Sequence, residues 1–187
     1  GHWDYVQIKH YRRVLEALKK RNCQIMLTLH HFTNPVWFSA RGGWERKDAP
    51  HIFNRYVEKI AIELGELVDV LVTINEPIVL AGLGYINGRW PPFKHTIIGA
   101  YMVINNLIRA HKQSYNTLHR ILDTPTSTVK VGLAHHIIYF TKSGSFYSWF
   151  GLSNWLINDW LIKKIWHQCD FLGYNYYRSI GASSHTS

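Results

Sequence analysis

Four short apolar segments alternate with helical segments, and this alternation limits the fold of the chain more than any other feature. The apolar segments cover residues 24–29, 68–74, 129–134 and 170–173. They are apolar almost throughout and contain many β-branched residues, a composition typical of strands that are buried on both faces. Because helical connections make successive strands parallel, the pattern predicts an α/β fold with a parallel sheet.

The segments that connect the strands are predicted to be helical. Amphipathic spacing and segment length indicate helices at residues 5–20, 52–67, 97–122 and 154–166. The 187 residues can bury one sizeable core, so we expect one domain over residues 1–187. This length is shorter than the roughly 250 residues of a typical eight-stranded α/β barrel.

Polar side chains follow the carboxyl end of each apolar segment. The segments lead into His30-His31, Asn75-Glu76, His135-His136 and a stretch containing Asn175 and Tyr177. In a (β/α)8 barrel these ends converge on one site, whereas an open sheet commonly binds its ligand through a glycine-rich loop after the first strand. No such loop is present. We therefore predict a (β/α)8 TIM barrel that is incomplete here, with about four β/α units.

Glu76 is the strongest catalytic candidate. It follows a long apolar strand, and Pro77 restricts the backbone after it. A carboxyl group in this place suits a general acid, and the neighbouring Asn75 amide suits a sugar hydroxyl next to the scissile carbon. Glu76 considered alone is also consistent with a structural carboxylate paired with an arginine.

The two histidine pairs leave several interpretations open. Neighbouring residues on a strand point to opposite faces, so only one histidine of each pair can enter a barrel. This spacing disfavours a two-histidine metal site on one strand, although one histidine from each pair together with Glu76 remains an alternative metal site. For each histidine, a structural role is as consistent with the sequence as a functional one.

Composition restricts the function classes and the compartment. The formal net charge of +9 comes from scattered basic residues, without a nucleic-acid-binding motif, so we expect no nucleic-acid partner. No apolar run is long enough to cross a membrane, and no secretory signal is recognisable. Cys23 and Cys169 form no metal or redox motif, so we predict buried thiols and a cytoplasmic location.

Five segments together resemble glycoside hydrolase family 1, the retaining β-glucosidase and β-galactosidase-like enzymes. The segments are TLHHFTNP at 28–35, GGW at 42–44, TINEP at 73–77, AH at 110–111 and DFLGYNYY at 170–177. They occur in the family's order, with similar spacing, across nearly the whole chain. The resemblance implies strands three to six of the family's barrel, and hence an internal fragment.

The resemblance assigns roles to residues on three of these strands. Glu76 matches the general acid/base, and Asn75 matches the residue that binds the sugar 2-hydroxyl. His31 matches the histidine that binds a hydroxyl of the glycone, the sugar on the non-leaving side of the scissile bond. Phe32 stands where the family usually has tryptophan, in contact with that same sugar.

The remaining matches concern the last strand and a motif that is absent. Asn175 matches a polar residue of the site, and Tyr177 matches the tyrosine that hydrogen-bonds the nucleophile. The family's nucleophile belongs to a Glu-Asn-Gly motif on strand seven of the family's barrel, and this motif does not occur in the sequence. The chain is therefore expected to provide only one carboxyl group of the catalytic pair.

The resemblance implies hydrolysis of β-linked O-glycosides or oligosaccharides, with no cofactor and no metal. Glucosides, galactosides and 6-phosphoglycosides are not distinguished, and the oligomeric state is left open. The alternative from another function class is a half-barrel that binds carbohydrate without hydrolysing it.

Overall fold

A computed structural model describes residues 2–141 and 154–181 of the chain. The helices are α1 (Tyr5–Lys19), α2 (Val36–Ala40), α3 (Ala49–Leu64), α4 (Pro77–Ala81), α5 (Ile97–Leu122) and α6 (Trp160–Ile165). The strands are β1 (Met26–His30), β2 (Val70–Asn75), β3 (Lys130–Thr141) and β4 (Phe171–Gly181). The predicted domain, residues 1–187, extends past the described residues at both ends.

The four strands form one parallel sheet in the order β1-β2-β3-β4. A doubly wound sheet reverses its strand order at a switch point, and no reversal occurs among the described strands. Parallel crossovers are right-handed, so a sequential order places the connecting helices on the same face of the sheet. This arrangement is one wall of a (β/α)8 barrel, and the predicted fold class is confirmed.

Local sequence explains where the principal helices begin. The Asp4 carboxylate caps α1 by accepting hydrogen bonds from the N–H groups of Val6 and Gln7. Thr96 caps α5 in the same way, because its hydroxyl accepts from the Gly99 N–H. The apolar faces of these helices then become available to cover the sheet.

The core lies between the sheet and the long helices α3 and α5. Val57 of α3, Val103 of α5 and Leu71 of β2 are almost completely buried. The two helices pack closely where Gly65 follows α3, because a Cβ atom there would collide with the Leu122 side chain. Burial of this apolar area is the main stabilising contribution to the layer.

The structure corrects several expectations. β3 extends to Thr141 and β4 to Gly181, rather than ending before His135 and at Gly173, because the two strands remain paired with each other. The loops after β1 and β2 contain the five-residue helices α2 and α4, which are too short to produce a periodic pattern. Cys23 is exposed in the turn after α1 and Cys169 is half-buried, so neither is the fully buried thiol that we expected.

Burial of the strands depends on their position in the sheet. Five of the six residues of β2 are buried, as the sequence predicts. Met26 of β1 and Tyr174 and Tyr176 of β4 are mostly exposed, contrary to the expectation of strands buried on both faces. β1 and β4 lie at the two ends of the described sheet, where each has only one neighbouring strand.

Among the described residues, no helix combines the length and the apolar character that crossing a membrane requires.

Candidate active site

Glu76 lies directly after the carboxyl end of β2, and its backbone adopts an uncommon conformation. Its φ of 45° and ψ of 61° are in the left-handed region, although residues before a proline usually are extended. Its N–H donates to the Ala134 carbonyl of β3 at 2.8 Å, where the pairing of β2 with β3 shifts register. Such strain is maintained by surrounding contacts and is frequent at functional sites.

The Asn175 amide connects the two candidates at the end of β2. Its Nδ2 donates to Glu76 Oε1 at 2.7 Å and to Asn75 Oδ1 at 3.1 Å. Glu76 and Asn75 are both buried, so these hydrogen bonds determine the orientation of both side chains. The hydrogen bond from Asn175 uses the Oδ1 atom of Asn75, so the Nδ2 group of Asn75 is left to donate to a ligand.

Tyr177 and His136 complete this cluster. The His136 ring stacks on the Tyr177 ring, with 5.3 Å between centroids and 26° between planes. His136 Nδ1 lies 3.9 Å from Glu76 Oε1. The nearby negative charge of Glu76 raises the pKa of the Tyr177 phenol. The structure thus brings together Asn75, Glu76, Asn175 and Tyr177, all four of which the sequence singles out.

His31 and Phe32 form a separate group after β1. The Phe32 ring contacts Trp90 with 4.8 Å between centroids, and His31 contacts Phe32 at 5.0 Å. Phe32 has a left-handed φ of 68°, and His31 is exposed. β1 pairs with β2 up to His30 and Ile74, so this group lies at the same edge of the sheet as Glu76.

His30 differs from His31 in its surroundings. It is buried between Trp44 and Phe53, and its Nε2–H donates to Asn34 Oδ1 at 3.1 Å. Burial lowers the pKa of His30 to about 4, so the ring is neutral at pH 7. His30 and His31 also line a cavity of about 550 Å³ whose lining does not include Glu76.

His111 and His135 have structural hydrogen bonds. Nε2 of His111 donates to the Gln168 carbonyl at 2.6 Å, and its Nδ1 accepts from the Thr73 hydroxyl at 2.7 Å. Nε2 of His135 donates to the Ile157 carbonyl at 2.7 Å. Burial lowers the pKa of both rings, that of His111 to about 4.

The alternative metal site requires several ligand side chains close together. No three His, Cys, Asp or Glu side chains of the described residues approach one another as metal ligands would. In particular, the histidines that accompany Glu76 do not form such a group with it.

All twelve acidic residues lie in the described part of the chain, and Glu76 differs from the rest in its hydrogen bond to the Asn75–Asn175 group. Asp4 caps α1, and Asp159 lines a surface pocket near Lys163. Each of the others forms an ion pair with a lysine, arginine or histidine: Glu16, Glu45, Asp48, Glu58, Glu63, Glu66, Asp69, Asp123 and Asp170. None of them is hydrogen-bonded to the Asn75–Asn175 group.

Sequence reasoning did not assign His136 to the cluster around Glu76. It considered this histidine only as a structural residue or an alternative metal ligand, because the predicted strand ended before it. The signal that could have placed it is the parallel pairing of β3 with β4, in which His136 is in register with Asn175.

The sequence matches the model of glycosyl hydrolase family 1 over residues 3–144. The chain belongs to glycosyl hydrolase family 1. Among curated relatives, the chloroplastic galactolipid galactosyltransferase of Arabidopsis thaliana is 27% identical, and the match covers 93% of this chain and 29% of that protein. The 1,4-beta-D-glucan glucohydrolase of Thermotoga neapolitana is 28% identical, with 70% of this chain and 30% of the relative covered.

A solved glycosidase structure has the same fold. The beta-glycosidase from Pyrococcus horikoshii superimposes with a TM-score of 0.87 at 28% identity, and the match covers 96% of this chain and 45% of that one. The chain thus spans less than half the length of the relatives that it matches. The resemblance to the family and the incomplete barrel are both confirmed.

Proposed function

We propose that the complete protein hydrolyses β-linked O-glycosides by a retaining double displacement. Glu76 is the general acid/base, Asn75 binds the sugar hydroxyl next to the scissile carbon, and the nucleophilic carboxylate comes from outside this chain. The observation that carries the proposal is the buried Glu76 carboxyl group at the barrel edge, oriented by Asn175 next to Asn75.

The hydrogen bonds suggest how Glu76 acts as an acid. Asn175 Nδ2 donates to Oε1 of the carboxyl group, and we assign the transferable proton to Oε2. As the nucleophile attacks the anomeric carbon, this proton passes to the leaving oxygen and the glycosidic bond breaks. Asn75 Nδ2 donates to the adjacent sugar hydroxyl during this step.

The second half-reaction uses Glu76 as a base. The ionised carboxylate takes a proton from water, the water oxygen attacks the anomeric carbon, and the bond to the nucleophile breaks. Glu76 is then protonated again, as the next cycle requires. The nucleophile must lie roughly 5 Å from Glu76, and none of the other acidic residues of the chain is hydrogen-bonded to the Asn75–Asn175 group.

His31, Phe32 and Tyr177 complete the proposed substrate site. His31 and Phe32 contact the sugar from the end of β1, next to Glu76 along the sheet edge. The Tyr177 hydroxyl hydrogen-bonds the nucleophile once the remainder of the barrel is present. The exposure of His31 and Tyr177 in the described chain supports roles toward substrate and toward segments outside it.

The test is a comparison of Glu76→Gln with the wild-type complete protein on nitrophenyl β-glucoside and β-galactoside. Removal of a general acid/base costs about 10²–10⁴-fold in rate. We expect the loss to be smaller on a dinitrophenyl glycoside, whose leaving group needs little protonation. Glu66→Gln, on an exposed turn remote from the site, serves as the matched control and should retain wild-type turnover.

Two results would contradict this proposal. Undiminished turnover by Glu76→Gln would remove Glu76 from the mechanism. An α-configured first product, observed by proton NMR before mutarotation, would indicate inversion in place of retention. Sugar binding without turnover by the wild-type protein would instead support the carbohydrate-binding half-barrel.

Transfer of the sugar to another sugar hydroxyl is a second candidate. It is favoured by the match to the galactolipid galactosyltransferase, which covers 93% of this chain. The glycosyl-enzyme intermediate is the same in both reactions, and Glu76 would deprotonate the acceptor hydroxyl in place of water. Product analysis with a β-galactoside donor distinguishes the two outcomes, because transfer gives a disaccharide and hydrolysis gives free galactose.

A further inference from the structure

His136 is a half-buried polar residue next to Glu76 to which no role has been assigned so far. Its side chain is 14% exposed, and its Nδ1 is buried without a hydrogen-bond partner among the described residues. The preceding His135 differs, because its Nε2 donates to the Ile157 carbonyl. A buried ring nitrogen without a partner is costly, which makes its nearest potential partner informative.

The nearest potential partner of His136 Nδ1 is the carboxyl group of Glu76. His136 Nδ1 lies 3.9 Å from Glu76 Oε1, about 1 Å longer than a hydrogen bond. Oε1 already accepts from Asn175 and has a second lone pair available. Stacking on Tyr177 holds the His136 ring at this position. A small movement of either side chain closes the gap.

We propose that His136 is a positioning residue for the acid/base, with its Nδ1–H donating to Glu76 Oε1 whenever that carboxyl group is ionised. This inference deepens the proposed function and rests on it. A retaining cycle uses Glu76 first as the acid and then as the base. A donor that engages only the ionised form stabilises the base and lowers the pH at which the proton leaves.

Each element around His136 contributes one titratable group to consider. β2 contributes Glu76, and β4 contributes the Tyr177 phenol. Its own strand contributes His135, a ring that burial keeps neutral. The π-helix Trp155–Asp159 contributes Asp159, which lines a separate surface pocket with Lys163. Glu76 is thus the group at this site whose charge changes during the proposed reaction.

The kinetic test is the pH dependence of kcat/KM for the complete protein. His136→Phe removes the donor and keeps a ring that can stack on Tyr177, so the alkaline limb should move upward by about 0.5–1 pH unit. His136→Asn restores a donor and should return the limb toward wild type. His51→Phe, on the exposed face of α3, is the matched control and should leave the profile unchanged.

A merely structural role for His136 predicts a different result. His136→Phe would then lower kcat/KM by the same factor at every pH, and the alkaline limb would not move. The same limb position in wild type, His136→Phe and His136→Asn would overturn the inference while leaving the Glu76→Gln result, and hence the proposed function, intact.

A measurement independent of turnover uses histidine ring NMR of the complete protein, with the His136 signal assigned by its absence in His136→Asn. Coupling to an ionised Glu76 predicts a lower His136 pKa in Glu76→Gln than in wild type. Equal values in the two proteins would overturn the inference. If the wild-type protein cleaves no β-glycoside, the proposed function fails, and the NMR comparison still decides whether the two side chains are coupled.

Discussion

At the amino ends of the strands, carboxylates accept several hydrogen bonds each, whereas Glu76 at the carboxyl ends accepts one from the described residues. Asp170, just before β4, accepts from the Val131 N–H, the Tyr115 hydroxyl and His119. Asp69, before β2, accepts from Lys19 and the Ile25 N–H. The same residue type thus has different surroundings at the two ends of one sheet.

Hydrogen bonds also compensate the negative charges of the carboxylates at the amino ends of the strands. The hydrogen bond from Lys19, together with that from Ile25, lowers the pKa of Asp69. Burial disfavours ionisation of Asp123, but hydrogen bonds from His119 and from the Val129 N–H lower its pKa below the usual value. These carboxylates connect helices and strand ends, which is a stabilising role.

The difference indicates what each end of the sheet contributes. At the amino ends, each of these carboxylates is tied to backbone N–H groups and to neighbouring helices. At the carboxyl ends, Glu76 combines a strained backbone with an incompletely satisfied carboxyl group. Barrel enzymes separate stability and catalysis in this way, with the active site at the carboxyl ends of the strands.

The largest expected effect on stability comes from a matched pair of isosteric substitutions. Asp170→Asn places an amide NH₂ against N–H donors that now lack an acceptor, so the free energy of unfolding should fall by roughly 2–4 kcal/mol. Glu76→Gln keeps an oxygen for Asn175 and removes a buried charge, so the change should be below about 1 kcal/mol. Denaturant unfolding of both complete proteins measures the difference. Equal losses would contradict the division between the two ends.

A pH effect of intermediate size should come from His111. Its folded pKa, about 4, is below the unfolded value of 6.5, so the unfolded state binds more protons as pH falls. Stability is therefore complete above pH 6.5 and declines toward pH 4. At 1.36 kcal/mol per pH unit, the loss from this group is about 2 kcal/mol at pH 5.

The matched measurement is the melting temperature of wild type and His111→Gln at pH 7.5, 6 and 5. The variant should start lower and lose less stability on acidification. Asp69 and Asp123 do not interfere with this window, since their lowered pKa values confine their contributions to more acidic pH. If the melting temperature depended on pH identically in both proteins, His111 would not remain neutral on folding.

The smallest effect should come from Asn175→Ala. The substitution removes the donor that orients Glu76 and Asn75, without removing either of these side chains. We expect about a tenfold lower kcat/KM, which corresponds to about 1.4 kcal/mol, with little change in melting temperature. Asn105→Ala, at a half-buried position on α5, is the control. A loss of stability larger than the loss of activity would place Asn175 among the structural residues.

Most of the fold could be predicted from periodicity. The bounds of α5 agree with the prediction, and each predicted strand is present within a few residues except at the ends of β3 and β4. The short helices α2 and α4 could not be predicted, because a single helical turn leaves no periodic pattern. Their positions depend on Pro35 and Pro77 and on packing after each strand.

The predicted site residues divide into two groups for a physical reason. Glu76, Asn75 and Asn175 lie within hydrogen-bond distance because β2, β3 and β4 are adjacent and parallel. His31 and Phe32 follow β1 and contact Trp90 from the loop before α5. Contacts of this second group depend on a loop conformation that local sequence does not specify.

The sequence by itself determined the strand–helix alternation, the parallel sheet, the family and the identity of one catalytic carboxyl candidate. Alternation and apolar runs are local properties, and they restrict the topology before any contact forms. Only the tertiary structure decided that Glu76 has a left-handed backbone, that Asn175 orients both neighbours, and that His136 faces the carboxyl group. These features arise from the register between strands distant in sequence, which no local pattern encodes.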